Sequence, residues 1–179
     1  VGKALLVSAL FMFLSIMVSV MDGRDSAFGP LLISFVITLI VGAFPFIFVK
    51  KSQALSLNDG FLTIVLSWLL SFIFGMLPYV LWGGEFTLIN AWFESVSGFT
   101  ATGASILTDV QALPQGLLFW RTATSWIGGA GVVMFALLIL PSLGTNKMAL
   151  SGIELSSLAK DNYRYRTQMV VRILLATYI

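Results

Sequence analysis

The sequence predicts an all-α membrane protein in which a short helix and a loop re-enter the bilayer between two spanning helices. Hydrophobic residues make up 58% of the 179 residues and charged residues 10%, with a mean hydropathy of +0.98. Soluble domains are usually about 45–50% apolar and about 25% charged. Residues 90–105 are too few and too polar to cross a bilayer. They lie between two apolar segments that are long enough, residues 61–82 and 122–141.

The composition excludes several classes of function. The chain has no Cys and no His, which removes disulfides, thiol catalysis and His-based metal sites. The sequence shows no nucleophile–base pair and no cluster of metal ligands, so we expect neither an enzyme nor a covalently bound cofactor. The net charge of +2 is too small to suggest a nucleic-acid partner. Because the chain begins with Val1 and ends at Ile179 inside an apolar run, we expect a portion of a longer protein.

Two apolar segments lead the chain. Residues 4–21 follow Lys3 and precede a charged turn, and their length is near the lower limit of about 17 residues for a span. A signal peptide is the alternative, but no small-residue cleavage pattern follows and a second apolar segment comes soon after. That segment, residues 31–49, opens after Pro30, which suits a helix start. Pro45 inside it should bend the helix.

The next segments predict a helix, a re-entrant stretch and a second helix. A polar turn precedes the third span at residues 61–82, and Gly83, Gly84 and Glu85 should end it. Residues 109–115 are polar and contain Pro114, so we expect the chain to be back in water there. The fourth span follows at residues 122–141.

Lysine and arginine residues predict the orientation, because cytoplasmic loops are enriched in both. Lys3, Lys50, Lys51 and the basic residues of the segment 147–166 fall on one side of the bilayer, which is therefore the cytoplasmic side. The sides alternate correctly only if residues 90–105 enter and leave from the outer side. The pattern thus supports a re-entrant stretch and a cytoplasmic N-terminus.

Residues 100–104, which we name the pore loop, have the chemistry of a cation path. A dehydrated cation needs oxygens that replace its water shell, and potassium filters supply them mainly from backbone carbonyls. Gly103 accepts backbone angles closed to other residues, which lets neighbouring carbonyls converge on one axis. The hydroxyls of Thr100 and Thr102 can add oxygens. The candidate ion ligands are Thr100, Ala101, Thr102, Gly103 and Ala104, with K+ at Thr102 and Gly103.

The surroundings of the pore loop favour a monovalent cation. The loop contains no carboxylate, which argues against a divalent-cation filter built from Asp or Glu. The preceding helix, near residues 90–97, directs its C-terminal end at the loop, and that end carries about half a negative charge. The alternative is that Thr-Ala-Thr-Gly forms an ordinary turn.

Glu94 and Arg121 are candidates for structural support of the loop. Ionisable groups at membrane depth are usually paired, and Arg121 lies near the outer start of the following span. The alternative is that Glu94 reaches water in the outer vestibule without a partner. The Gly-Gly-Ala-Gly sequence at 128–131 allows close helix packing, with a hinge as the alternative.

Two motifs resemble a known family. Residues 93–105, Phe-Glu-Ser-Val-Ser-Gly-Phe-Thr-Ala-Thr-Gly-Ala-Ser, closely resemble the first pore loop of TrkH-type potassium transporters. Trp120-Arg121, followed by Trp126-Ile127-Gly128-Gly129 and Gly131 and running to Leu140-Pro141, resembles the inner helix that comes after that loop. The first two spans match the family by hydropathy and position more than by residues.

The resemblance implies the superfamily of Trk, Ktr and plant HKT transporters. Its members hold four linked helix–pore loop–helix repeats around one pore, as in a potassium channel, and TrkH-type members add two leading helices. The resemblance implies K+ as the transported ion, the bacterial inner membrane as the location, and a homodimer as the assembly. It also implies a cytosolic, nucleotide-binding TrkA-like regulatory subunit and a gating loop that lies outside this chain.

We therefore expect four parts along the chain. They are the two leading transmembrane helices (residues 1–55), the first repeat (56–145), a cytoplasmic connector (146–168) and the truncated start of a second repeat (169–179). Three other functions stay open: a non-conducting structural or assembly module, a Na+/K+ transporter of the same superfamily, and a small channel made from four copies of this chain. The truncated fifth span argues against the last of these.

Overall fold

The computed structural model describes residues 1–48, residues 57–131 and Met169, and within that part every regular element is a helix. The chain divides into two compact units, Val1–Gly128 and Gly129–Ile179, and the fold below is that of the first unit. Of the second unit, the described residues 129–131 and Met169 are helical. The expected connector at 146–168 and the lysines at 50 and 51 lie outside the described residues.

The two leading helices form an antiparallel hairpin of membrane-spanning length. Helix α1 is Gly2–Met21 and helix α2 is Phe28–Phe48, with mean hydropathies of 2.5 and 2.6. Their packing is close at the open end of the hairpin, where a Cβ atom on Gly2 would lie 2.7 Å from the carbonyl oxygen of Gly42. Both predicted leading spans are therefore present, and α2 begins two residues before Pro30.

The third span is broken where the sequence predicted a continuous helix. Helix α3 is Leu57–Gly75 and helix α4 is Leu77–Trp82, and together they include a 21-residue candidate span. The cause of the break is Pro78, which has no N–H to donate to the preceding turn and crowds the carbonyl four residues earlier. The N–H of Tyr79 consequently bonds to the carbonyl of Met76 at 3.1 Å, one residue closer than in an α-helix.

The break leaves a backbone carbonyl that another helix uses. In a continuous helix the carbonyl of Gly75 would accept from the N–H of Tyr79. Here it accepts from the indole Nε1 of Trp120 at 3.1 Å, and that tryptophan is fully buried. A buried carbonyl without a partner would cost about 1–3 kcal/mol. The contact therefore joins the third span to the helix that follows the pore loop.

A short helix and a short 3-10 turn precede the last described helix. Helix α5 is Leu88–Phe99, capped by Thr87, whose side chain accepts from the N–H of Asn90 at 3.3 Å. The 3-10 turn is Val110–Ala112. Helix α6 covers residues 115–131 and begins directly after Pro114. The sequence predicted a span starting at residue 122, so the helix begins seven residues earlier than expected.

The contacts of the α1–α2 turn show that the chain enters and leaves the pore-loop stretch at one end of the helices. The indole of Trp82, at the end of α4, donates to the hydroxyl of Ser26 at 3.0 Å. The N–H of Gly116, at the start of α6, donates to the carboxylate of Asp25 at 2.9 Å. The end of α4 and the start of α6 therefore lie beside the same turn.

Helix α5 penetrates the bundle from that end. The hydroxyl of Ser95 donates to the carbonyl of Phe72 at 2.8 Å. Phe72 precedes Trp82 by ten residues, or about 15 Å of helix at 1.5 Å per residue. That distance is half of a hydrocarbon core of about 30 Å. The fold is therefore an all-α membrane protein in which two leading helices precede a helix–pore loop–helix repeat.

Candidate functional site

Helix α5 packs closely against α6 because each helix has a glycine at the contact. A Cβ atom on Gly98 would collide with the hydroxyl of Thr124, and a Cβ atom on Gly128 would collide with the carbonyl of Phe99. Backbones approach this closely only where side chains are missing. Gly128 therefore has a packing function, which brings α6 against the last turn of α5, immediately before the pore loop.

The pore loop leaves α5 in a sharply turned conformation. The N–H of Ala101 bonds to the carbonyl of Gly98 at 2.8 Å, and the N–H of Thr102 bonds to that of Ser97 at 3.0 Å. The backbone then adopts positive φ angles at Ala101 (55°) and Gly103 (76°). Gly103 accepts this angle without penalty, whereas the left-handed region costs a residue with a Cβ atom about 1–2 kcal/mol.

Three consecutive carbonyl oxygens of the pore loop accept no hydrogen bond from the described part of the chain. Among the residues that the structure describes, no donor bonds to the carbonyl oxygens of Thr100, Ala101 and Thr102. All five residues of the loop are exposed in this chain. The next two carbonyls have protein donors: that of Gly103 accepts a long hydrogen bond of 3.4 Å from Nη2 of Arg121, and that of Ala104 accepts from the hydroxyl of Ser97 at 2.6 Å.

The two threonine hydroxyls form a pair beside these carbonyls. The hydroxyl oxygens of Thr100 and Thr102 lie 2.8 Å apart, and that of Thr100 also donates to the carbonyl of Val96 at 2.8 Å. With its proton directed at Val96, Thr100 accepts the proton of Thr102. Both protons then have protein acceptors, and the remaining lone pairs can face a cation.

Behind the pore loop, the buried carboxylate of Glu94 joins three segments. Glu94 is 2% exposed. It accepts from Nε of Arg121 at 2.6 Å, from the hydroxyl of Ser105 at 3.1 and 3.0 Å, and from the N–H of Ile106 at 3.3 Å. The structure thus brings the two predicted support residues together in a salt bridge. One carboxylate links α5, the segment after the loop, and α6.

The sequence analysis did not identify the two serines that fasten the pore loop. Ser97 holds the carbonyl of Ala104, and Ser105 holds the carboxylate of Glu94. The available signal was their position, one before and one after the Thr/Gly loop in an otherwise apolar chain. Small hydroxyl side chains at such positions can bond to nearby backbone and carboxylate oxygens.

The oxygens of the pore loop that could coordinate an ion are uncharged. Within residues 1–48 and 57–131 there is no group of three or more His, Cys, Asp or Glu side chains that could hold a metal ion. The C-terminal end of α5 points at the pore loop and contributes about half a negative charge there. Backbone carbonyls with a partial negative charge suit a monovalent cation that must bind and leave again.

The described part of the chain is a helical membrane protein in which a short helix and the pore loop lie between two longer helices. The TrkH family, described as cation transport protein, matches residues 30–179. The chain belongs to this family, whose similar members are named as transport proteins and not as enzymes.

The similar proteins agree on this family. The Trk system potassium uptake protein TrkH of Halomonas elongata is 36% identical over 165 residues, which is 90% of this chain and 34% of that protein. The protein of the same name from Escherichia coli K12 is 36% identical over 143 residues, 79% of this chain and 29% of that protein. The crystal structure of the potassium transporter TrkH from Vibrio parahaemolyticus matches with a TM-score of 0.75 and 28% identity, over 98% of this chain and 35% of that chain. The chain therefore spans about a third of the length of the relatives it matches.

Proposed function

We propose that the protein to which this chain belongs carries K+ across the membrane, and that the pore loop supplies part of its ion path. The observation that carries this proposal is a row of three carbonyls that have no donor among the described residues and belong to exposed residues, Thr100, Ala101 and Thr102. A free row of this kind is what a dehydrated cation requires. The relatives named as potassium uptake proteins support K+ as the ion.

Ion binding would then be distributed unevenly over the five predicted residues. Thr100, Ala101 and Thr102 offer carbonyls that accept no hydrogen bond from the described residues, and K+ at Thr102 and Gly103 remains the proposed position. The carbonyl of Gly103 accepts only a long hydrogen bond and keeps a second lone pair for the ion. The carbonyl of Ala104 accepts a much shorter hydrogen bond, 2.6 Å, from the hydroxyl of Ser97, so we assign it to anchoring the loop.

The residues behind the loop would hold the carbonyls at a fixed spacing. Selectivity by backbone oxygens depends on the number and position of those oxygens. A loop free to move would adapt to any cation. Glu94 and Arg121 bond to each other, and Arg121 also reaches the carbonyl of Gly103. We propose that this pair supports the loop and does not bind the ion.

We further propose the arrangement of the whole assembly. The chain would comprise two leading helices (1–55), the first of four repeats (56–145), a cytoplasmic connector (146–168) and the start of the second repeat (169–179). Its N-terminus would be cytoplasmic and its membrane the bacterial inner membrane. The relatives are named as parts of a Trk system, which supports a multicomponent assembly. We propose a homodimer with a cytosolic, nucleotide-binding TrkA-like regulatory subunit.

The first experiment is growth rescue of a potassium-uptake-deficient cell by the full-length gene at low external K+. Rescue supports K+ transport. Absence of rescue, with the protein present in the membrane, would favour a non-conducting structural module. Rubidium and sodium uptake by the same cells then distinguishes a K+ transporter from a Na+/K+ transporter.

The Gly103→Ser variant tests the pore loop itself. Gly103 has a φ of 76°, and no atom of the described residues lies within 4 Å of an added Cβ atom, so serine would strain the backbone without a collision with them. We expect sodium uptake to rise relative to potassium uptake, or transport to stop, with membrane insertion unchanged. Gly83→Ser is the matched control, because Gly83 has a φ of 80° and equally open surroundings, in the turn after α4. Equal behaviour of the two variants would remove the pore loop from the ion path.

A further inference from the structure

The carboxylate of Asp25 connects the leading hairpin to the helix that follows the pore loop. Asp25 lies in the turn between α1 and α2, and its Oδ2 accepts from the N–H of Gly116 at 2.9 Å across 91 residues of sequence. Its Oδ1 accepts from the N–H of Ala27 at 3.1 Å and from the hydroxyl of Ser19. Both oxygens are therefore occupied, and the side chain is held in one orientation.

This contact occupies the N-terminal end of α6. The first N–H groups of a helix have no partner within the helix, and a negative charge there is favourable. Gly116 is the second residue of α6, and a Cβ atom on it would lie 2.9 Å from both Ser19 and Leu31. The start of α6 is thus bonded and closely packed against the hairpin. Neither a rotation nor a shift of α6 leaves this contact intact.

The same helix carries Arg121, which reaches the pore loop. Trp120, one turn after Gly116, bonds to the third span, and Arg121 bonds to Glu94 and to the carbonyl of Gly103. Arg121 follows Gly116 by five residues, or about 7.5 Å of helix. A change in the position of Gly116 therefore moves the guanidinium that supports the loop.

We propose that Asp25 is a positioning residue of the ion path: from the leading hairpin it sets the position of α6 at which Arg121 meets Glu94 and the pore loop. This inference rests on the proposed potassium transport. It gives the two leading helices a role in selectivity. The role runs through α6, because the carboxylate bonds to the backbone of Gly116 and does not touch the ion ligands.

The test is the ratio of potassium to sodium uptake by the full-length protein in liposomes, normalised to the amount of folded protein. Asp25→Asn keeps an acceptor oxygen but loses the charge. We expect its uptake ratio to fall about two- to fivefold, the factor that corresponds to losing a favourable negative charge at the N-terminal end of a helix. Ser19→Ala, a milder change at the same carboxylate, should lower the ratio less and in the same direction. Asp22→Asn is the matched control, since Asp22 is an exposed carboxylate in the same turn.

An unchanged uptake ratio in Asp25→Asn, with only less folded protein, would overturn the proposal and leave Asp25 a purely structural residue. A second readout does not depend on transport. In a double-mutant cycle, the losses in free energy of unfolding caused by Asp25→Asn and Arg121→Met should be non-additive if the two residues act through one helix. Additive losses would contradict the coupling of Asp25 to Arg121 through α6. If Asp25→Asn does not fold, Ser19→Ala replaces it in the cycle. If the wild-type protein transports no K+, the proposed function fails, but the double-mutant cycle still measures the coupling between Asp25 and Arg121.

Discussion

Removing either member of the Glu94–Arg121 pair should destabilise the protein, and removing the arginine should cost more. In Arg121→Met the carboxylate of Glu94 loses its cationic partner while only 1% of its side chain is exposed. Loss of one partner of a buried ion pair costs about 3–5 kcal/mol. The hydroxyl of Ser105 and the N–H of Ile106 still bond to the carboxylate, but neither carries a charge. We therefore expect about 3–5 kcal/mol for this variant.

Changing the other member of the pair, in Glu94→Gln, should lower the free energy of unfolding by less. The amide keeps one oxygen that can accept from Ser105 or Ile106, and 22% of the Arg121 side chain is exposed, so that water can solvate part of the guanidinium. The expected loss is that of one or two hydrogen bonds involving a charged group, about 1.5–3 kcal/mol. Glu85→Gln is the control, because Glu85 is exposed and surface changes usually stay within about 0.5 kcal/mol.

The measurement is reversible unfolding of the full-length protein in mixed micelles, carried out as a double-mutant cycle with Glu94→Gln and Arg121→Met. The double variant should lose clearly less stability than the sum of the two single variants, by roughly 1–3 kcal/mol. Additivity within about 0.5 kcal/mol would refute the reasoning. A loss in Glu94→Gln no larger than that in Glu85→Gln would refute it as well.

Two other variants test the packing and the anchoring of the pore loop. Ser97→Ala removes the hydrogen bond to the carbonyl of Ala104, so we expect a loss of about 1 kcal/mol in the free energy of unfolding. We also expect a weaker preference for rubidium over sodium in uptake assays. Unchanged uptake selectivity would show that this bond does not position the pore loop. Gly98→Ala introduces a Cβ atom against Thr124 and should cost about 1–3 kcal/mol, measured by thermal unfolding in detergent. Gly29→Ala in α2, with open space around it, is its control, and equal melting temperatures would contradict the packing of α5 against α6.

The sequence could predict those features that follow from local pattern. The two leading spans follow from apolar runs of sufficient length, and the short helix α5 follows from a polar, amphipathic stretch between two spans. Glu94 and Arg121 were recognisable because charges are rare in this chain, so that few partners were available. The serines at 97 and 105 are too common a residue type to stand out in one sequence.

The remaining features depend on contacts between distant segments or on breaks that hydropathy does not register. The break at Met76 lies inside a fully apolar stretch, and its signal was Pro78 alone. The early start of α6 was missed because Arg121 separates the short apolar run at residues 117–120 from the predicted span. The bond between Asp25 and Gly116 spans 91 residues, and no local pattern in either segment indicates the other.

The most direct test of the account is the position of the ion in the full-length protein. Crystals grown in rubidium should show anomalous scattering beside the carbonyl oxygens of Thr100, Ala101 and Thr102, in direct coordination distance. Crystals grown in sodium should show no ordered ion at that position. Rubidium bound elsewhere along the path, with these three carbonyls facing water or protein donors, would contradict the central claim.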